Sequence, residues 1–288
     1  MERRPKSNRP AQDPTGSLIV QRLAWITLDR SGSHQETVLD AGNSPRVFFM
    51  RINRYLASCG LGSRRTCETL VTEGRVRING AVIDSLAVQV QPGDRVQVGR
   101  RLVEPEHTAS ILFHKPKAVL CSRKGEGGRR TVYDFLDPEM QNLRYAGRLD
   151  YDSEGLMVFT NDGDLINRLT HARFNTEKAY LVTLESDFQP DHLSKLLKGF
   201  VFEEGRAKAL RAKHLRGGQL EVVLNTGLNR QIRRMFARMG YEVKRLVRTQ
   251  VGPWTLKGMP PGTWRFLTGK DLAQLTGKRG GGSSQRSS

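Results

Sequence analysis

Met50-Arg51-Ile52-Asn53-Arg54-Tyr55-Leu56-Ala57-Ser58-Cys59 carries the first clear periodicity in the chain. Ile52, Tyr55, Leu56 and Cys59 recur at i, i+3, i+4 and i+7, which puts them on one face of a helix. Gly60-Leu61-Gly62 ends that helix, and Ser63 is placed to cap a second one running to about Glu73. Cys67, Leu70 and Val71 form its apolar side, and Gly74 closes it. Val76-Arg77-Ile78, Asn79-Gly80 and Ala81-Val82-Ile83 then spell strand, tight turn, strand. Val88, Val90, Pro92-Gly93-Asp94 and Val96-Gln97-Val98 repeat the idea. Residues 50–104 therefore predict two helices followed by a small antiparallel sheet.

Upstream of Met50 the character differs. Residues 1–49 begin with a stretch rich in Pro, Arg, Asn and Gln and show no partner pattern for the short apolar run Ser17–Thr27. We expect an extension that is disordered or precedes the true start at Met50. Downstream, residues 105–109 read as a linker and 276–288 as a disordered tail of Gly, Ser and Arg. Between them, residues 110–275 alternate strand and helix signals irregularly, which argues for α+β rather than a doubly wound sheet. Strands are expected over 110–114, 155–160, 178–184, 206–215, 219–225 and 243–251. Helices are expected over 162–170, 190–198, 229–239 and 270–275.

The chain has 47 Lys and Arg against 29 Asp and Glu, a net charge of +18. Such an excess points to a polyanionic partner, most simply nucleic acid. Arg51, Arg54, Arg64 and Arg65 crowd the two N-terminal helices. No apolar run approaches the roughly 18 residues that would span a bilayer, so an integral membrane protein is excluded. The 3 Cys form no CxxC, which disfavours a disulfide scaffold or a Cys-based zinc site and fits a reducing cytoplasm. The His residues are scattered singly, so no His-based metal site is expected.

Three segments carry chemistry. Ala146-Gly147-Arg148-Leu149-Asp150-Tyr151-Asp152-Ser153-Glu154-Gly155-Leu156 is a polar loop between two apolar stretches. Its carboxylates could bind Mg²⁺, serve as a glycosidase pair, or include one nucleophilic Asp kept ionised by an Arg; a solvated turn is the plain alternative. The second is Gly227-Leu228-Asn229-Arg230-Gln231-Ile232-Arg233-Arg234-Met235-Phe236. On a helix, Ile232, Met235, Phe236 and Met239 share an apolar face, and Arg230, Arg234 and Arg238 lie opposite. Arg233 falls at the border, where a partly buried guanidinium needs an anion; Asp150 is the candidate. Residues 229–248 hold seven basic and one acidic residue, a strong local patch. The third is Glu177-Lys178-Ala179-Tyr180-Leu181-Val182, with Lys178 and Tyr180 on one strand face. A Tyr there is ordinarily core, unless a flipped base stacks on it.

Together these segments resemble two families. The string R-x-x-R-Y-L, S-R-R and G-R-V-x-I-N-G resembles the RNA-binding module named after ribosomal protein S-four. G-R-L-D-x-D-S-x-G-L, N-D-G-D-L, E-K-x-Y-L-V and G-x-N-R-Q-I-R-R-M resemble the RsuA-type branch of the bacterial rRNA pseudouridine synthases. The closest match is the RluF-like large-subunit subgroup, with the RluB-like subgroup near it. The resemblance spans about Met50 to Leu275. It implies a mixed, mainly antiparallel catalytic sheet with flanking helices, and isomerisation of uridine to pseudouridine without cofactor or metal. It implies Asp150 as the catalytic aspartate, Tyr180 against the target base, and Arg233 paired with Asp150. It implies RNA contacts from Arg51, Arg54, Arg64, Arg65, Arg148, Lys178, Asn229, Arg230 and Arg234. For Asp152 we expect a loop-stabilising hydrogen bond.

The reaction moves uracil from N1 to C5 attachment with no atom gained or lost, so no redox cofactor or nucleotide donor is needed. Asp150 would attack the anomeric carbon or remove the 2′ proton; the residues leave both routes open. The expected partner is rRNA, 23S and stem-loop in form, with tRNA a further candidate, and the expected state is monomeric. Two rival readings stand beside this one. A non-catalytic ribosome-assembly protein would explain the charge. A carboxylate–metal nuclease would require Asp150, Asp152 and Glu154 to converge.

Overall fold

The computed structural model describes residues 49–215 and 218–276. The expectations for the extension and for the Gly/Ser/Arg tail fall, apart from residues 49 and 276, outside that description.

The N-terminal module follows its sequence pattern closely. Strand β1 (Met50–Arg51) leads into helix α1 (Ile52–Ser58), and α2 (Arg64–Thr72) follows after the Gly60–Gly62 break. Ser63 caps α2 by accepting the Thr66 N–H at 3.1 Å, which satisfies one orphan donor of the first turn. Strands β2 (Val76–Ile78) and β3 (Ala81–Ile83) form a hairpin around Asn79-Gly80. Both turn residues have positive φ, 51° and 87°, which is the backbone twist two antiparallel strands need. The second half departs from the expected repeat. Strand β4 (Gln89–Val90) pairs with β1, whereas β5 (Val96–Val98) pairs with β2 and with β6 (Arg101–Leu102). The Asn79 side chain directs this by bonding Asp94 Oδ1 and the Arg95 N–H at 2.8 and 2.9 Å. Ile52, Leu56, Cys67, Val71, Val76, Val90, Val96 and Val103 close the module's core. Burial pushes the Cys59 thiol, on the same helix face, up to about 12.

The larger domain is built on one sheet. Its strands are β7 (Ser110–Lys115), β8 (Arg144–Tyr145), β9 (Glu154–Thr160), β10 (Lys178–Leu184), β13 (Arg211–His214), β14 (Gln219–Leu224), β15 (Val243–Val251), β16 (Trp254–Thr255) and β17 (Trp264–Phe266). A separate hairpin pairs β11 (Phe200–Phe202) with β12 (Gly205–Ala207). The spatial order is β13-β14-β10-β15-β9-β7-β17, with β16 on β15 and β8 on β9. Every pairing is antiparallel except β15 with β9. The sheet is thus mixed and mainly antiparallel.

Both faces of the central strands are covered, so these strands read as continuous apolar runs rather than as alternations. Ile111, Phe113, Met157, Phe159 and Val182 join one core, together with Ile232, Met235 and Phe236 of helix α5 (Gln231–Ala237). Leu112, Leu156 and Val158 turn to the other face, against Leu165 and Leu169 of α3 (Gly163–Thr170) and Trp254. Truncating a fully buried ring such as Phe159 to Ala would cost about 3–5 kcal/mol. Asp162 caps α3, accepting the Asp164 and Leu165 N–H groups.

Two expected elements are shorter than their patterns. The strand expected over 206–215 is two, β12 and β13. Between them Ala209 N–H bonds Leu196 O at the end of α4 (Leu193–Lys198), which pulls the chain off a straight path. The helix expected over 229–239 begins only at Gln231, because Arg230 is left-handed at φ 46°.

Candidate active site

The loop entering β9 carries Asp150, and its backbone is tied down at successive carbonyls. The carbonyl of Asp150 accepts the Ser153 N–H at 3.1 Å and that of Tyr151 the Ala118 N–H at 2.8 Å. The Asp152 carbonyl accepts Arg233 Nη2 at 3.2 Å, and the Ser153 carbonyl accepts Lys115 Nζ at 2.7 Å. Lys115 has no exposed surface and also donates to Pro116 O; burial drives its ammonium down to about 8. Gly155 ends the loop at φ 119°, and a Cβ there would lie 2.4 Å from Arg248 O. Only a glycine lets β9 run against β15 at this point.

This loop forms one wall of a cavity of about 290 Å³. Arg148, Asp150 and Ser153 line it from the loop, Lys178 and Tyr180 from β10, and Leu246 and Arg248 from β15. Residues 226–232 line it as well. Among the described residues, Asp150 is the only acidic group lining the cavity, against Arg148, Lys178, Arg230 and Arg248. Burial, aided by the Arg248 charge, lowers the Lys178 ammonium to about 8.

The arginines divide their work differently from the sequence expectation. Arg233 does not ion-pair with Asp150. It pairs with Asp152 Oδ2 at 3.1 Å and donates Nη1 to Val243 O at 2.7 Å. Its place on the first turn of α5 fixes it between the start of β15 and the Asp152 end of the loop. Arg230 is the cation at Asp150, 3.8 Å from Oδ2, and it also grips Asp152 through both oxygens at 3.1 and 3.3 Å. The left-handed turn that removes Arg230 from the helix is what aims it there; such a conformation costs a bulky residue about 1–3 kcal/mol and is typical of functional sites. Asp152 is thus the clamp between two guanidinium groups. Burial alone would raise its carboxyl, but the Arg230 hydrogen bond and the charges of Arg233 and Arg230 hold it below the usual range.

The cavity brings together Arg148, Asp150, Lys178, Tyr180, Asn229 and Arg230. It does not include Arg234, which pairs with Glu204 at 2.9 Å and stacks over Phe202 at 4.1 Å. In the N-terminal module Arg51, Arg64 and Arg65 are exposed, whereas Arg54 pairs with Asp164 of α3. The convergence a carboxylate–metal nuclease would need does not occur. Glu154 is taken by Arg245 at 2.6 Å and Asp152 by its two arginines, and among the described residues no group of three His, Cys, Asp or Glu could hold a metal ion. Sequence reasoning missed Lys115, Gln231, Ser153 and Arg248. Their signal is burial of a polar group beneath a loop, which periodicity does not carry.

Residues 109–238 match the RNA pseudouridylate synthase family and residues 50–96 the S4 domain. An RNA pseudouridine synthase of Aquifex aeolicus, itself uncharacterised, is 37% identical over 232 residues, covering 78% of this chain and 93% of that protein. The chain belongs to the RNA pseudouridine synthases. Ribosomal large subunit pseudouridine synthase B of Bacillus subtilis is 34% identical, covering 78% of this chain and 95% of that one. The dual-specificity RNA pseudouridine synthase RluF of Escherichia coli K12 is 35% identical over 78% of each chain. A crystal structure of a pseudouridylate synthase superposes with a TM-score of 0.58 at 27% identity, over 78% of this chain and 99% of that one. As a pseudouridine synthase the chain is an enzyme that isomerises uridine in RNA, with an RNA-binding module ahead of its catalytic domain.

Proposed function

We propose that this pseudouridine synthase acts on a stem-loop of large-subunit rRNA in the cytoplasm, as a monomer, with Asp150 as its catalytic residue. The observation that carries the site assignment is the carboxylate of Asp150 in a cavity whose other charged lining groups, among the described residues, are the cations Arg148, Lys178, Arg230 and Arg248. The target base flips out of its helix, at a cost of a few kcal/mol, and enters beside Tyr180. Stacking on that ring and phosphate contacts from Arg148, Asn229 and Arg230 offset the cost. Asp150 then attacks the anomeric carbon or takes the 2′ proton; either step uses its carboxylate, beside which the Arg230 guanidinium stands at 3.8 Å. Arg233 serves by fixing Asp152 and hence the loop. Exposed Arg51, Arg64 and Arg65 meet phosphates, and the names of the large-subunit relatives support rRNA as the substrate.

Carbodiimide mapping of pseudouridine in rRNA tests this. A strain lacking the protein should lose one stop or an adjacent pair. Wild type should restore it and Asp150→Ala should not. Restoration by Asp150→Ala would refute the catalytic assignment. Identical rRNA maps with a changed tRNA map would refute the substrate.

A further inference from the structure

The cavity wall holds two buried N–H donors whose partners are missing. Gln231 is 4% exposed, and its Oε1 accepts both the Leu228 N–H at 3.0 Å and the Thr226 hydroxyl at 3.1 Å. A backbone N–H can only donate, so the amide orientation is fixed and Nε2 is the free end. That Nε2 has no hydrogen-bond partner and does not reach solvent. Arg248 is 2% exposed; its Nε donates to Leu156 O at 2.7 Å, and its Nη2 is likewise without a partner. Among the described residues no carboxylate forms an ion pair with Arg248. A buried guanidinium normally needs an anion, and a buried N–H an acceptor.

The two residues face the same side of the sheet. Arg248 stands directly across from Tyr180 in the β10–β15 register, so both side chains leave on one face. Leu246 and Val182, one step along the same face, pack with Ile232 of α5, whose first residue is Gln231. Both side chains line the cavity that holds Asp150.

We propose that Gln231 Nε2 and Arg248 Nη2 hold the detached uracil by its two carbonyl oxygens. The inference rests on the assignment of this cavity as the catalytic site proposed above and adds the residues that retain the base between its two attachments. When the C1′–N1 bond breaks, its electron pair leaves on the base, and the negative charge spreads to O2 and O4. An arginine without a carboxylate is suited to that charge. The base must then turn about its N3–C6 axis before the C1′–C5 bond forms, C5 loses its proton and N1 gains one. That half-turn exchanges N1 with C5 and also O2 with O4. Two donors that each bind a carbonyl therefore meet the same pattern before and after the turn. Cytosine would present an amino group to one of them, donor against donor, so the pair also selects uracil.

The test uses the full chain and unmodified transcripts of large-subunit rRNA and of tRNA, with pseudouridine and released free uracil both measured. Gln231→Glu keeps the oxygen that caps Leu228 and Thr226 and replaces only the donor, so a purely structural glutamine should tolerate it. We expect kcat to fall at least tenfold with KM changed less than threefold, and free uracil, undetectable with wild type, to appear. Arg248→Lys keeps the charge on β15 but loses the fork; it should show the same split and guards against a misfolded first variant. Gln231→Glu within twofold of wild-type kcat, or a loss confined to KM, overturns the proposal. A wild-type chain that forms no pseudouridine in either transcript overturns instead the reading beneath it.

Discussion

Replacing Lys115 by Met isolates the energetics of the loop that carries Asp150. The lysine is fully buried, bonded only to the carbonyls of Ser153 and Pro116, and its ammonium is driven from 10.5 to about 8. A folded-state value below the unfolded one means the unfolded chain holds the proton more tightly. Stability therefore rises with pH between about 8 and 10.5, where only the unfolded state stays protonated, and the penalty is constant below 8. At about 1.4 kcal/mol per unit, the shift amounts to roughly 3 kcal/mol. Met removes this penalty but leaves the buried Ser153 carbonyl without its lysine donor, at about 1–3 kcal/mol, and the part-buried Pro116 carbonyl without its own, so stability near pH 7 should change little. The distinguishing quantity is the difference in unfolding free energy between wild type and Lys115→Met, followed by urea titration from pH 7.5 to 10.5. Groups common to both proteins, Lys178 among them, cancel in that difference. We expect it to shift by about 3 kcal/mol in favour of wild type as pH rises. A difference independent of pH would refute the account of a charged lysine held in the core. The variant should also lose kcat about tenfold or more, since Ser153 O is the loop's last anchor.

Other outcomes follow from single interactions. Gly155→Ala places a methyl 2.4 Å from the Arg248 carbonyl at a positive φ, and should destabilise the fold by about 3 kcal/mol or more in thermal or urea unfolding. Arg230→Ala removes the cation beside Asp150 and half the Asp152 clamp. It should lower kcat by about 100-fold in a pseudouridine-formation assay, since the loop that carries Asp150 loses one of its two guanidinium anchors. Because Asp152 is held below its ordinary value, its contribution to stability is present above about pH 4 and is lost as pH falls through the lower folded value. Wild type should therefore lose more stability than Asp152→Asn over that range in acid unfolding. Arg64→Ala with Arg65→Ala should weaken RNA binding and flatten its salt dependence, measured by filter binding, by roughly one unit of slope for each phosphate no longer neutralised.

Much of this protein is written in local sequence. The i, i+3, i+4 spacing of Ile52, Tyr55 and Leu56, the Ser63 cap and the Asn79-Gly80 turn each act within a few residues, and each appears where the pattern puts it. The apolar runs at 110–115 and 154–160 identify the central strands, because a strand covered on both faces needs no polar alternation. The loop around Asp150 and the strand face shared by Lys178 and Tyr180 are legible for the same reason. What the tertiary structure alone decided are the meetings between distant segments. Arg230 reaches Asp152 across 78 residues of sequence and Arg233 across 81. Which guanidinium takes which carboxylate depends on one left-handed residue at the start of α5 and on where β15 begins, and helical periodicity encodes neither. The burial of Lys115 and Arg248 is of the same kind. A lysine or arginine in a strand reads as surface until the sheet's neighbours are known, and only the stacking of β7, β9 and β15 sets their charges inside.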